Sequence, residues 1–408
     1  MKRVVLTAVA AISLSLTVAG PAAAAPVPLD TTFSGDGKAT LNQAGWQYVY
    51  GILADGDSPI AYGGTAADWN RSPRAQMVTR YQPDGRLDTS FSGDGIKTLR
   101  YTDRSGATDA ALAADGDVLV AGWTVNGVAI TKIKPNGAVD ASFGNNGARR
   151  IDVNRAASAP QIEVTSSGQL VVAWSKITDW DPQTTVISMT RLRPDGSTIR
   201  RFGDNGLRTV DIWRNDDMDS MAIAPDDRVY IAAWSEKASQ PRGVVSVVSL
   251  SATDHVWTRR YNPYGRHGTQ IAGISVDSAG RAVVGITPTN APGVGAMRVN
   301  PDGSLDDTYS GDGVARASCN CFTTGSVLTT GGVVIFGGNF KATKLEATRF
   351  TTSGQYDTTF GGGEVYWDLF DGAEFLPAAT VDATGRLLLG GTYGNKTGGR
   401  FIARVLTP

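Results

Sequence analysis

One short phrase recurs along this chain and decides what it can fold into. It reads Leu29-Asp30-Thr31-Thr32-Phe33-Ser34-Gly35-Asp36-Gly37 in its first copy. Copies return from Pro83-Asp84-Gly85 to Phe91 and Gly95, and from Pro135-Asn136-Gly137 to Phe143 and Gly147. Others run from Pro194-Asp195-Gly196 to Phe202, from Pro301-Asp302-Gly303 to Tyr309, and from Ser353-Gly354 to Phe360. A decayed copy at Ser251 to Tyr261 fills the one double-length gap. The aromatic markers therefore recur roughly every 54 residues, a period that belongs to a repeat architecture. Seven periods account for the chain from Leu29 to the end.

Each period holds the same strand signals. Ala110 to Val120 is an apolar run, an Asp-Gly turn and a second apolar run, which reads as a hairpin. A third strand ends in a basic residue, as in Met77-Val78-Thr79-Arg80-Tyr81, and a fourth follows the Gly-rich loop. Four antiparallel strands per period, seven times over, predict an all-β, seven-bladed β-propeller. The first copy begins just before a fourth strand, and Arg400 to Leu406 is a third strand with none after it. Lys38 to Leu41 is thus expected to pair with it and close the ring within one blade, leaving no open sheet edge.

The Asp-Thr-Thr-Phe-Ser-Gly-Asp-Gly phrase at this spacing resembles the delta-60 repeat of secreted bacterial β-propellers. The resemblance covers residues 29 to 408. It implies the propeller fold and an export route, and it implies no catalytic residue.

Residues 1–25 are expected to stand apart from the fold. Lys2 and Arg3 precede the apolar run Val4 to Val18, Gly20-Pro21 breaks it, and Ala22 to Ala25 offer small cleavage-site residues. That is the pattern of a secretory signal peptide rather than a membrane span, so residues 26–408 form one secreted, extracellular domain, expected to be monomeric. A formal net charge of −1, from 38 basic and 39 acidic residues, gives no reason to expect nucleic acid as a partner. Two His and two Cys exclude a metal site rich in either.

Residues present in most copies are expected to be scaffold. Third strands end in Arg80, Lys132, Arg191, Arg298, Arg349 and Arg404, and the phrase carries Asp30, Asp88, Asp140, Asp306 and Asp357. Charge pairs between these sets would hold each long loop against its sheet. Calcium could use the Gly-Asp-Gly loops, but each offers at most two carboxylates, and turn glycines explain them with less. No cofactor is expected.

Binding residues are sought on the opposite face, where the irregular loops lie. Asp68-Trp69, Asp179-Trp180-Asp181 and Trp213 with Asp216 and Asp217 set indoles beside carboxylates, a combination that can stack on a sugar and accept its hydroxyls. Cys319 and Cys321, the only cysteines, are expected to form a disulfide after export. The favoured reading is a non-catalytic binding or interaction module for extracellular glycan or protein. The alternatives are a hydrolase or lyase acting on glycan, and a purely structural surface protein. Carboxylates clustered about the axis would favour the enzyme.

Overall fold

The computed structural model describes residues 27–67, 73–101, 105–124, 127–153, 158–181, 183–237, 240–319, 321–339, 344–371, 374–394 and 398–406. Their strands form seven four-stranded antiparallel sheets arranged as propeller blades. A short 3-10 turn at Gly265–His267 is the only helical element among the described residues. In blades 1 to 6 the strands pair in chain order. Blade 7 combines Glu374–Val381, Leu387–Tyr393 and Gly399–Val405 with Lys38–Leu41 from the other end of the chain.

The closing register is specific. Lys38 opposes Ala403, Ala39 opposes Ile402, Thr40 opposes Phe401, and Leu41 opposes Arg400. The Asp30 amide adds a 2.8 Å hydrogen bond to the Arg404 carbonyl. The ring is thus closed by main-chain pairing rather than by side chains alone.

Both faces of each blade are covered by neighbours. The second strands therefore read as unbroken apolar runs instead of alternating ones. Val118, Leu119, Val120 and Ala121 are all essentially inaccessible. The buried clusters straddle adjacent blades, as where Ile60 and Val78 of blade 1 meet Val118 and Val120 of blade 2. The final Gly of the repeated phrase takes left-handed φ values, +83° at Gly37 and Gly313 and +82° at Gly95, which a side chain would strain.

The repeated Asp and Arg meet in one buried node. In blade 5, Arg298 Nε lies 2.8 Å from Asp306 Oδ2, and the guanidinium covers the Tyr309 ring at 4.6 Å. Arg298 Nη1 also donates to the Thr352 carbonyl of blade 6 at 2.6 Å. Asp306 Oδ1 accepts from both the amide and the hydroxyl of Thr308. Arg404 repeats this with Asp30 at 2.8 Å, Phe33 and the Pro83 carbonyl, and Arg349 with Asp357 at 2.6 Å and Phe360. Other blades vary the arrangement. Arg80 is closer to Asp55, at 2.7 Å, than to Asp88, at 3.2 Å. Lys132 sits 3.0 Å from Asp117 and 4.0 Å from Asp140. Arg191, whose own loop has Ile199 where five other copies have Asp, reaches Asp254 of blade 4 at 3.3 Å.

Deleting residues 27–42 removes the fourth strand of blade 7 and the Asp30 of its node. The truncated protein should expose the Gly399–Val405 edge, aggregate and lose its cooperative melt. A melt matching the parent's would show that closure is dispensable.

Candidate functional site

The first strands of all seven blades converge on the propeller axis and enclose a channel of about 650 Å³. A register shift interrupts the first strand in six of the seven blades, for example between Val49 and Gly51, Ala107 and Asp109, and Met218 and Ser220. Such bulges leave a residue unpaired and re-aim it. The unpaired residues Tyr50, Thr108, Asp219, Ala272 and Thr324 all line the channel.

Cross-blade hydrogen bonds ring the axis. Thr108 Oγ1 donates to the Pro160 carbonyl at 2.8 Å, Gln161 Nε2 to the Asp219 carbonyl at 2.7 Å, and the Ile274 amide to Ser220 Oγ at 3.2 Å. Thr324 Oγ1 bonds the Leu376 carbonyl in the same manner. Between blades 5 and 6 the contact is steric: a Cβ at Gly285 would come within 2.6 Å of Ser326 Cβ, so only glycine fits.

The channel wall is one-sided. Asp109, Glu163 and Asp219 project from blades 2, 3 and 4, whereas the described lining of blades 5 to 7 holds no acid and mixes small residues such as Ala272, Gly273, Ser326 and Ala378 with Ile274, Val327 and Phe336. No Lys, Arg or His lines the channel among the described residues. Burial within the ring pushes Asp109 up to about 6, against three hydrogen bonds that favour its ionised form. Those come from the Tyr62 hydroxyl at 3.0 Å, the Ala110 amide at 2.9 Å and the Ile162 amide at 2.8 Å. Asp109 therefore ties three consecutive blades together, and both of its oxygens are occupied. Glu163 is pushed well above the carboxylate range by burial and then by the charge of Asp109. Asp219 is open to the lumen yet enclosed by the ring. That enclosure, with the charge of Asp217, lifts it to about 6.

Of the residues singled out in the loops, the Trp213 segment abuts the hairpin that carries Trp180: the Asp216 amide donates to Thr185 Oγ1 at 2.8 Å and the Thr185 amide to the Arg214 carbonyl at 3.1 Å. Asp68 and Trp69 lie outside the described residues. Trp180 is 58% exposed at the tip of the hairpin between Leu170–Trp180 and Gln183–Leu192. Asp179 Oδ1 accepts the amides of Trp180 and Asp181 at 2.7 and 3.2 Å, so it shapes that turn. Trp213 is half-buried beneath Arg260, whose guanidinium sits 4.8 Å from the ring centre. Asp216 is fully buried and accepts the Ile212 and Trp213 amides at 2.7 and 3.2 Å, which makes it a clamp on the loop entering blade 4. Glu374 does the same for blade 7 through the Leu369 and Phe370 amides. Only Asp217, exposed beside Asp219, connects this set with the channel. Cys319 is buried and is not a free thiol, while the Cys321 side chain lies outside the described part of the structure.

One channel carboxylate, Asp109, carried a signal in the repeat that reading strands alone passes over. Asp109 and Gln161 stand where other blades have Gly51, Ser220, Gly273, Gly325 and Ala378. Small residues are the rule there, and an acid or amide is a departure.

Comparison with known proteins places the fold. Residues 113–143 match a β-propeller domain of unknown function, DUF5122. No curated protein matches in sequence. A streptogramin B lyase structure is similar at a TM-score of 0.51 and 11% identity, over 89% of this chain and 96% of that one. A protein of unknown function from Dyadobacter fermentans DSM 18053 is similar at a TM-score of 0.50 and 9% identity, over 90% of this chain and 98% of that one. At such identities the likeness shows a shared propeller fold. No helix among the described residues is long and apolar enough to cross a membrane.

The shifted carboxyls set a pH dependence. Asp109 and Asp219, raised to about 6 in the folded chain, contribute stability that is full below the ordinary value of 3.8 and lost as pH rises through about 6. Asp30, Asp306 and Asp357 are lowered, because threonine hydrogen bonds and arginine outweigh the effect of burial. Their contribution is present above 3.8 and lost as pH falls below it. The melting temperature should therefore peak at pH ~4 and fall as pH rises from there through about 6. Asp219→Asn should shrink that loss. An unchanged loss in the variant would show that Asp219 does not titrate in this window.

Proposed function

We propose that this chain is a secreted, non-catalytic binding module of the delta-60 repeat type, exported by residues 1–25. It acts as a monomer without a cofactor, and its axial channel takes a hydroxyl-rich extracellular ligand such as the end of a glycan chain. The one-sided acidic wall carries this reading. Protonated carboxyls donate to hydroxyls and ionised ones accept from them, so Glu163 and Asp219 can serve either need of a polyol. The uncharged opposite wall, which includes Ala272, Gly273 and Ala378, faces the ligand's body. Among the described residues, no cation lines the channel to attract an acid.

A hydrolase or lyase is the second reading, and the raised carboxyls of Glu163 and Asp219 on neighbouring blades favour it. Pairs of acids whose environments push them apart can divide acid and base roles. Asp109 is the poorest candidate for such a role, since tyrosine and two amides already occupy it.

A glycan array probed with residues 26–408, followed by calorimetric titration of the hits, separates these readings. Glu163→Gln and Asp219→Asn should each weaken binding about tenfold, with no product released from the bound glycan. Product release abolished by the same substitutions would establish the enzyme instead. Binding unaffected by either would move the ligand to the loop face of Trp180 and Trp213.

We further infer that Cys319 and Cys321 bridge one another, a clamp across Asn320 where the chain passes from blade 5 to blade 6. So short a loop removes little entropy from the unfolded chain, so its effect on stability should fall well below the usual ~2–4 kcal/mol. Intact-mass measurement after denaturing alkylation without reduction should show no added alkyl group. Uptake of two would rule out the bridge.

A further inference from the structure

Blades 2 and 3 carry a feature on their outer rim that the repeat does not require. The third-blade copy of the phrase reads Ile199-Arg200-Arg201 where others read Asp30-Thr31-Thr32, Asp88-Thr89-Ser90 or Asp357-Thr358-Thr359. An acid has been lost there and two bases gained. The exchange costs Arg191 its local carboxylate and sends it to Asp254 of the next blade. Arg149 and Arg150, in the fourth strand of blade 2, approach the same place.

The loops and strands there enclose two cavities, about 460 and 690 Å³, which share Arg149 and Ser197 and so adjoin. Arg150 and Asn145 complete the first, and Arg193, Arg200, Arg201 and Asn205 the second. Four of these arginines are exposed, and Arg149 is half-buried. None of the five lies within ion-pair distance of a carboxylate among the described residues, in a chain whose net charge is only −1. The single acid lining either cavity, Asp195, is occupied by the Ser197 amide at 2.8 Å. Arg149 donates Nη2 to Thr198 Oγ1 at 2.8 Å, and its buried Nε has no partner.

We infer that this rim is a binding groove for an acidic polysaccharide carrying sulfate or carboxylate groups. Guanidinium forks match the paired oxygens of those groups, which an ammonium would not. Asn145 and Asn205 line the same cavities and offer amides suited to sugar hydroxyls, while the Ser197 and Thr198 hydroxyls accept from Arg193 and Arg149 and hold those guanidiniums in place. Two adjoining cavities suit an extended chain better than a single anion. Single-stranded nucleic acid would call for aromatic platforms between the basic residues, and no aromatic side chain lines either cavity. The groove lies on the rim, apart from the axial channel, and does not rest on what that channel binds.

Dextran sulfate, captured on a sensor surface in 150 mM-class salt, is the probe, with neutral dextran and oligo(dT) as comparators. The parent chain should bind dextran sulfate and ignore neutral dextran. The double variant Arg200→Thr/Arg201→Ser, which restores the residue types of other copies at two exposed positions, should bind about tenfold more weakly. Its dependence on salt should also become shallower, because fewer counterions are released. Arg150→Ala should weaken binding by a smaller factor, and it stands in should the double variant fail to fold. Arg86→Ala, in an exposed turn of blade 1, should leave binding unchanged. Failure of the parent to bind, equal binding by the double variant, or an equal loss in Arg86→Ala would overturn the groove. Oligo(dT) binding as tightly as dextran sulfate would overturn the polysaccharide.

Discussion

Arginines tie several blades of this ring to the next. The guanidinium of Arg298, Arg349 or Arg404 pairs with the aspartate of its own long loop and lies over that loop's aromatic ring. Arg298 and Arg404 then reach forward to a turn carbonyl of the following blade. A buried ion pair adds little net stability relative to apolar packing, yet losing one partner strands a charge and costs about 3–5 kcal/mol. What such a node supplies is geometry. It fixes where the loop sits, and hence where the fourth strand begins. The Arg404 node does this with an aspartate from the far end of the chain, so one side-chain cluster both seats a loop and seals the ring.

Closure in turn determines the channel. Seven sheets packed face to face bring their first strands to the axis, where there is little room. The bulges and the small residues at Gly51, Ser220, Gly273, Gly325 and Ala378 answer that crowding. Asp109 sits among them because three donors from three blades satisfy it. Glu163 and Asp219 have no such set of donors, and their raised protonation follows from enclosure beside other acids. Structure and chemistry separate here, with one carboxylate spent on holding the ring and two left facing the lumen.

The blade count, the four strands per blade and the closing partners were legible in the sequence, because each is stated by repetition. Repetition averages out local ambiguity, so even the decayed copy at Ser251 to Tyr261 could be placed. The loop site was far less legible. Trp213 looked like an exposed ring beside acids, but Arg260 covers it and Asp216 turns inward to hold its backbone. A carboxylate beside an indole in sequence says nothing of which way either side chain faces. Glu163 and Asp219 were hidden for the opposite reason: only convergence of distant blades makes them neighbours, whereas Asp109 departs visibly from the small residues at its place in the repeat.

Positions filled alike in most blades carry the load of the fold, and positions filled differently in one or two blades are free to carry something else. Asp109, Glu163 and Asp219 are such exceptions within the first strands, as are Arg200 and Arg201 within the long loop. The exceptions are not scattered around the ring. They gather in blades 2, 3 and 4, acidic at the axis and basic on the rim. A ring of seven similar blades has no preferred direction until some blades differ. The chain gains a polar side at blades 2 to 4, while the described lining of blades 5 to 7 holds no acid.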